Sequence, residues 1–111
     1  MAEAPLQTAL AAIWKKNQPQ TRERLAVLQR AAKQLSTTGA IEDDLRADAA
    51  TTAHKMAGSL GMFGLHSATE AARGIEHSLD KDGPLQPERL REQVDALTAL
   101  LGPHLGDGAG S

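Results

Sequence analysis

His54 stands out among the side chains that could do chemistry because of the company it keeps. The chain has four histidines and no cysteine, so a disulfide framework and thiolate metal sites are excluded. Around His54 the apolar residues recur with helical spacing. At ~100° per residue, Leu45, Ala49, Met56 and Leu60 gather on one side of that helix. His54 falls nearly opposite, beside Ala47, Ala50, Gly58 and Gly61, all of them small. An imidazole placed there stands clear on an almost bare helix surface, open to another macromolecule or to a bulky group. Gly58, one turn after His54, costs a helix interior about 1 kcal/mol against Ala. A local rule broken beside an exposed histidine points to a functional site. The bland alternative is a solvated histidine and a glycine that serves helix packing, and these two residues alone do not displace it.

The elements that must position His54 are helical throughout. One Trp, one Phe and no Tyr leave few aromatic strand-formers, while Ala, Leu, Glu, Gln, Arg and Lys favour helices. Pro5 suits the first helical position of an N-terminal helix whose face is Leu6, Leu10 and Ile13, with Trp14 beside them. Pro19 is expected to break that pattern. A second helix then runs from about Thr21 to Leu35 on Leu25, Leu28, Ala32 and Leu35, with Gly39 as its stop. The third begins near Ile41, carries Glu42, Asp43 and Asp44 in its first turn, and continues through His54 to about Leu60. Gly61 to Gly64 form a turn. The fourth helix presents Leu65, Ala68, Ala72, Ile75 and Leu79, with Ser67 and Glu70 at capping-box spacing or inside its first turn. After a turn at Asp82, Gly83 and Pro84, Pro87 starts the last helix, with Leu90, Val94, Leu97 and Leu101 inward. Connections this short favour antiparallel neighbours. The expected fold is all-α: an antiparallel up-and-down four-helix bundle with a short additional N-terminal helix.

At 111 residues the chain reads as one domain over 1–105 with a Gly-rich flexible tail over 106–111. A hydrophobic fraction of 41% is enough for a core. A net charge of −2 offers no basic field for nucleic acid. The first residues lack the basic-then-apolar pattern of a signal peptide, and no apolar run is long enough for a membrane span. These features fit a cytoplasmic protein.

The window Ala53-His54-Lys55-Met56-Ala57-Gly58-Ser59-Leu60-Gly61-Met62-Phe63-Gly64-Leu65 resembles the phosphorylation-site signature of histidine phosphotransfer (HPt) domains. That signature has a His, an apolar residue two on, then Gly-Ser, with glycines again at the loop. The likeness continues to Ile75 and Glu76, where the family commonly has an apolar residue followed by Glu or Gln. The resemblance implies a carrier in a two-component phosphorelay, with His54 as the phosphoryl acceptor. Imidazole keeps a neutral, nucleophilic nitrogen near neutral pH. The family makes Nε2 the reactive atom, so Nδ1 must hold the proton, and Glu76 is the family-placed acceptor for it. An ordinary surface carboxylate is the alternative reading of Glu76.

One position departs from the family pattern. Many HPt domains have Lys three residues after the His; here that residue is Ala57, and the nearby cation is Lys55. Lys55 points about 100° away around the helix, but its stem is long. It is a candidate for receiver docking or for meeting the phosphoryl charge, against the plain reading of a solvated Lys. Gly58 and Gly61 are candidates for receiver docking and phosphoryl access. Ser59 is expected to make a buried hydrogen bond to backbone. Met62 and Phe63 either pack on the bundle end or extend an apolar docking patch.

No Gly-x-x-x-x-Gly-Lys-Ser/Thr loop is present, and the chain has no room for an ATP-binding domain, so kinase activity is not expected. The resemblance implies response-regulator receiver domains as partners, with a hybrid histidine kinase as a further one. No cofactor is expected in this chain; Mg²⁺ is expected on the receiver. A monomer is expected, because His54 needs an accessible face. Two rival readings stand beside this one. One is an HPt-like bundle that only docks proteins. The other is a metal-binding bundle using His54, His66, His77 and nearby carboxylates, which lacks the Glu-x-x-His pairs of di-iron bundles.

Overall fold

The computed structural model describes residues 3–80 and 83–105, with side chains described from residue 9 onward. The tail expected over 106–111 and Asp82 of the expected turn lie outside the described residues. Four helices follow one another: α1 (Glu3–Thr38), α2 (Asp43–Met62), α3 (His66–Ser78) and α4 (Pro87–Leu105). Each packs on its neighbour in the chain, and α1 closes against α4, which makes an up-and-down bundle.

The separate N-terminal helix expected before Pro19 is instead the first part of α1, which runs through that proline without a break. A proline inside a helix removes one backbone hydrogen bond and crowds the preceding turn, at a cost of about 3 kcal/mol. Here Pro19 is exposed, so water can reach the backbone carbonyl it leaves unpaired. Contacts on both sides of it hold the helix to α4. Trp14 Nε1 donates to the His104 carbonyl at 2.9 Å, and Gln18 Nε2 donates to the same oxygen at 3.3 Å. Arg22, past the proline, donates to the Leu105 carbonyl. These bonds also satisfy carbonyls that the end of α4 leaves without helical partners. The apolar face expected of the N-terminal segment is only partly used, since Ile13 is exposed and Leu10 is half-buried.

The core follows the helical periodicity closely. Leu28, Leu35, Met56, Leu60, Ile75, Leu79, Leu90, Leu97 and Leu101 are its largest fully buried side chains. Leu45 and Leu65, expected in the stripes, pack half-buried at its edge. Gly39 closes α1 in the left-handed region at φ +84°, its N–H donating to the Leu35 carbonyl at 2.9 Å.

The turn between α2 and α3 fixes how the site is presented. Gly64 sits at φ +76°, and its N–H donates to the Gly61 carbonyl at 3.1 Å. Leu65 N–H donates back to the Leu60 carbonyl, also at 3.1 Å, completing a Schellman-type helix stop. Phe63 packs edge-on against Trp14 of α1, ring centroids 5.0 Å apart, whereas Met62 is exposed. Ser67 lies in the first turn of α3, whose N-cap is Leu65, so the capping-box alternative is not used.

Candidate functional site

His54 stands on the outer face of α2, its side chain 74% exposed. Its immediate α2 neighbours are small because the same face carries Ala47, Ala50 and Gly58 at steps of three and four residues. The opposite face of α2 is buried through Ala49, Ala53, Met56 and Leu60. One helix therefore spends one face on the core and leaves the other bare around the imidazole. A Cβ added to Gly58 would meet nothing within 4 Å, so no packing contact requires glycine there.

Across from His54, α3 contributes Glu76. His54 Nδ1 lies 3.0 Å from Glu76 Oε2. A carboxylate oxygen can only accept, so Nδ1 carries the proton and donates it to this bond. In a neutral ring of this tautomer the lone pair falls to Nε2. Glu76 is half-buried and His54 is not, so the contact orients an exposed ring from a more firmly held base.

The surface between α2 and α3 is a groove of about 940 Å³, far more than a phosphoryl group fills. Its floor and walls include Ala47, Ala50, Ala57 and Gly58 from α2 and Leu79 at the C-cap of α3. Its charged rim brings in Asp43, Arg46, Arg73, His77 and Asp80 beside His54 and Glu76. Arg46 serves the fold: Nε donates to the Leu79 carbonyl at 3.1 Å, and its guanidinium also donates to the carbonyls of Asp80 and Gly83. It thereby caps the end of α3 from the body of α2.

Of the other residues singled out in the sequence, Lys55 is exposed but does not line the groove. Gly61 lies at the end of α2, outside the groove, where an added Cβ would make ordinary contact with Thr69 Oγ1 at 3.6 Å. Ser59 is half-buried and makes no side-chain hydrogen bond among the described residues, contrary to the buried bond expected of it. His66 opens α3 away from the groove, and among the described residues no three His, Asp or Glu side chains gather as a metal site requires. Arg46 and Arg73 were not singled out by sequence reasoning. The available signal was spacing: Arg46 precedes His54 by two helical turns, and Arg73 precedes Glu76 by nearly one.

The chain is thus a helical bundle with an exposed histidine hydrogen-bonded to a carboxylate beside a groove of small residues. The chain belongs to the Hpt domain family, which it matches over residues 12–102. Members of this family are phosphocarrier modules of two-component signalling and not kinases. Among curated proteins the chain is similar to Protein RcaC of Microchaete diplosiphon, at 31% identity over 87 residues. That alignment covers 78% of this chain but only 13% of RcaC, so the chain corresponds to a small part of that relative. No solved structure matches the chain significantly. No helix among the described residues is long and apolar enough to cross a membrane.

Proposed function

We propose that the domain carries a phosphoryl group on Nε2 of His54, to and from aspartates of response-regulator receiver domains. The observation that carries this reading is the 3.0 Å contact between His54 Nδ1 and Glu76 Oε2 on an otherwise bare face. It holds the tautomer in which Nε2 is the nucleophile, and it favours the positive charge that the ring acquires on attack. In the forward step the Nε2 lone pair attacks the phosphorus of an aspartyl phosphate. The N–P bond forms as the P–O bond to the receiver's carboxyl breaks, and the carboxylate leaves with the electron pair. The Nδ1 proton stays with the ring, hydrogen-bonded to Glu76. The reverse step returns the phosphoryl group to a carboxylate.

In-line transfer requires the donor's oxygen, the phosphorus and Nε2 to align, so a receiver must come close to α2. Ala47, Ala50 and Gly58 supply the clearance, and Mg²⁺ belongs to the receiver's acidic pocket in this reading. A hybrid histidine kinase is a further partner of the same chemistry.

The test is incubation with phosphorylated receivers and Mg²⁺, then site mapping at neutral or alkaline pH, where phosphohistidine survives. An acid-labile phosphoryl group on His54, absent in His54→Gln, is the expected result. Stable binding of a phosphorylated receiver with no transfer would sink the carrier reading in favour of a docking-only bundle.

A further inference from the structure

We propose that Arg73 is the residue that meets the phosphoryl charge once His54 is loaded. This inference rests on the carrier reading of His54. The site needs a cation for a simple reason. A phosphoryl group brings close to two negative charges, and it would form beside Glu76, whose carboxylate is already 3.0 Å from the ring. Asp43 and Asp80 add acid to the same groove. Without a cation, each transfer to His54 would push negative charge into an acidic rim.

Three basic side chains of the described groove are available to answer it: Arg46, Arg73 and His77. Arg46 is committed to three backbone carbonyls, at the C-cap of α3 and in the connection that follows it. Leaving them would undo a cap that joins two helices. An imidazole is charged only when protonated, whereas guanidinium is charged at every working pH. Lys55, next to His54 in sequence, lies outside the groove. That leaves Arg73.

The helix register places it well. His54 faces Glu76, and further along Gly61 faces Thr69, so α2 and α3 run past each other in antiparallel step. In that register Arg73 comes opposite Ala57 and Gly58, about one turn along the groove from the imidazole. Neither residue has a side chain large enough to block it. Among the described residues Arg73 makes only a surface ion pair, Nη1 to Glu70 Oε2 at 3.4 Å, with the two side chains 62% and 75% exposed. Such a pair is weak and screened by water. Exchanging Glu70 for a doubly charged phosphoryl group that fits the guanidinium fork is favourable. Glu70 thus competes little for Arg73 once His54 is loaded.

The experiment loads the intact domain with phosphoramidate, which needs no receiver. Nε2 forms its bond to phosphorus, the P–N bond of the donor breaks, and ammonia leaves. The ³¹P resonance of phosphohistidine is then followed against pH in the wild type, Arg73→Gln, Arg73→Lys and Lys55→Gln. A nearby permanent cation disfavours protonation of the phosphorylated imidazole, so Arg73→Gln should raise the titration midpoint by about half a unit. It should also slow loading by roughly tenfold, less than a buried donor would because the site is wet. Arg73→Lys should restore most of the midpoint, and Lys55→Gln should leave it in place. A purely structural role for Arg73 would not move a phosphoryl titration. If Arg73→Gln loads on His54 and titrates with the wild type, or if Lys55→Gln moves the midpoint instead, the assignment to Arg73 is wrong while the carrier reading survives. If the wild type takes up no phosphoryl group on His54, the carrier reading and this inference fall together.

Discussion

Between α1 and α4, long side chains reach across to fixed acceptors: Trp14, Gln18 and Arg22 hold the last carbonyls of α4, and Gln29 Nε2 donates to Thr98 Oγ1 at 3.3 Å. Between α2 and α3 the outer face is built the other way, with Ala47, Ala50 and Gly58 leaving space around one imidazole. Both pairs bury an apolar inner face, leucine-rich in α1–α4 and mostly Ala with Met56, Leu60 and Ile75 in α2–α3, so the functional contrast is not one of burial. It lies in how each pair uses its outer seam. The α1–α4 seam uses side chains to fix position, even across a proline. The α2–α3 seam keeps large α2 side chains away from the imidazole, and beyond the His54–Glu76 contact its cross-helix bonds lie at the end where Arg46 caps α3. A carrier that receives partners on one face needs both: a face with little on it, and a scaffold that keeps that face still.

If the two seams are separable in this way, substitutions should divide cleanly between them. The largest effect belongs to His54→Gln, which should abolish phosphoryl uptake while leaving helical circular dichroism and thermal midpoint unchanged. Unfolding of that variant would show that His54 belongs to the scaffold. Next is Gly58→Trp. Nothing lies within 4 Å of a Cβ there, so the domain should fold, yet transfer from a receiver should fall by about a hundredfold or more as the indole occupies the approach to Nε2. Loading from phosphoramidate should be much less affected, because a small donor needs less room. Equal loss with both donors would mean that Gly58 serves the imidazole itself rather than partner access. On the scaffold side, Leu97→Ala removes a fully buried side chain of α4 and should cost about 2–5 kcal/mol in denaturant unfolding. The fraction that remains folded should load phosphoryl at the wild-type rate.

The same division explains what could be read from the sequence. The stripes Leu25–Leu28–Ala32–Leu35, Ala68–Ala72–Ile75–Leu79 and Leu90–Val94–Leu97–Leu101 are all buried, because a 3.6-residue period reports burial directly. The bare face of α2 was legible for the same reason. Pro19 was misread because its local cost is real, but the bonds that offset it come from residues 104 and 105, far along the chain. Arg73 was not visible because it is one of twelve Lys and Arg residues, and only the register of α3 against α2 brings it into the groove. Ser59 shows the converse. Its position near the core side suggested a buried bond, whereas half-burial leaves the hydroxyl in reach of water and no protein partner is needed.

The smallest expected effect sharpens the comparison most. Lys55 sits beside His54 in sequence but is exposed outside the groove, where a receiver docked over His54 would meet it at the interface rim, so its charge acts on an approaching partner and not on the imidazole. A rim charge changes association rate and its salt dependence more than the chemistry that follows docking. Lys55→Ala should therefore weaken productive encounter with a receiver by about two- to threefold at low salt, and by less as ionic strength rises past the point where the Debye length falls to about 8 Å. Loading from phosphoramidate should be unchanged, since a small donor makes no use of the rim. Stopped-flow transfer measured at two salt concentrations, with both donors, separates these terms. A Lys55→Ala defect that persists with phosphoramidate, or that ignores salt, would place Lys55 at the phosphoryl group and erase the distinction between rim and groove drawn from its position.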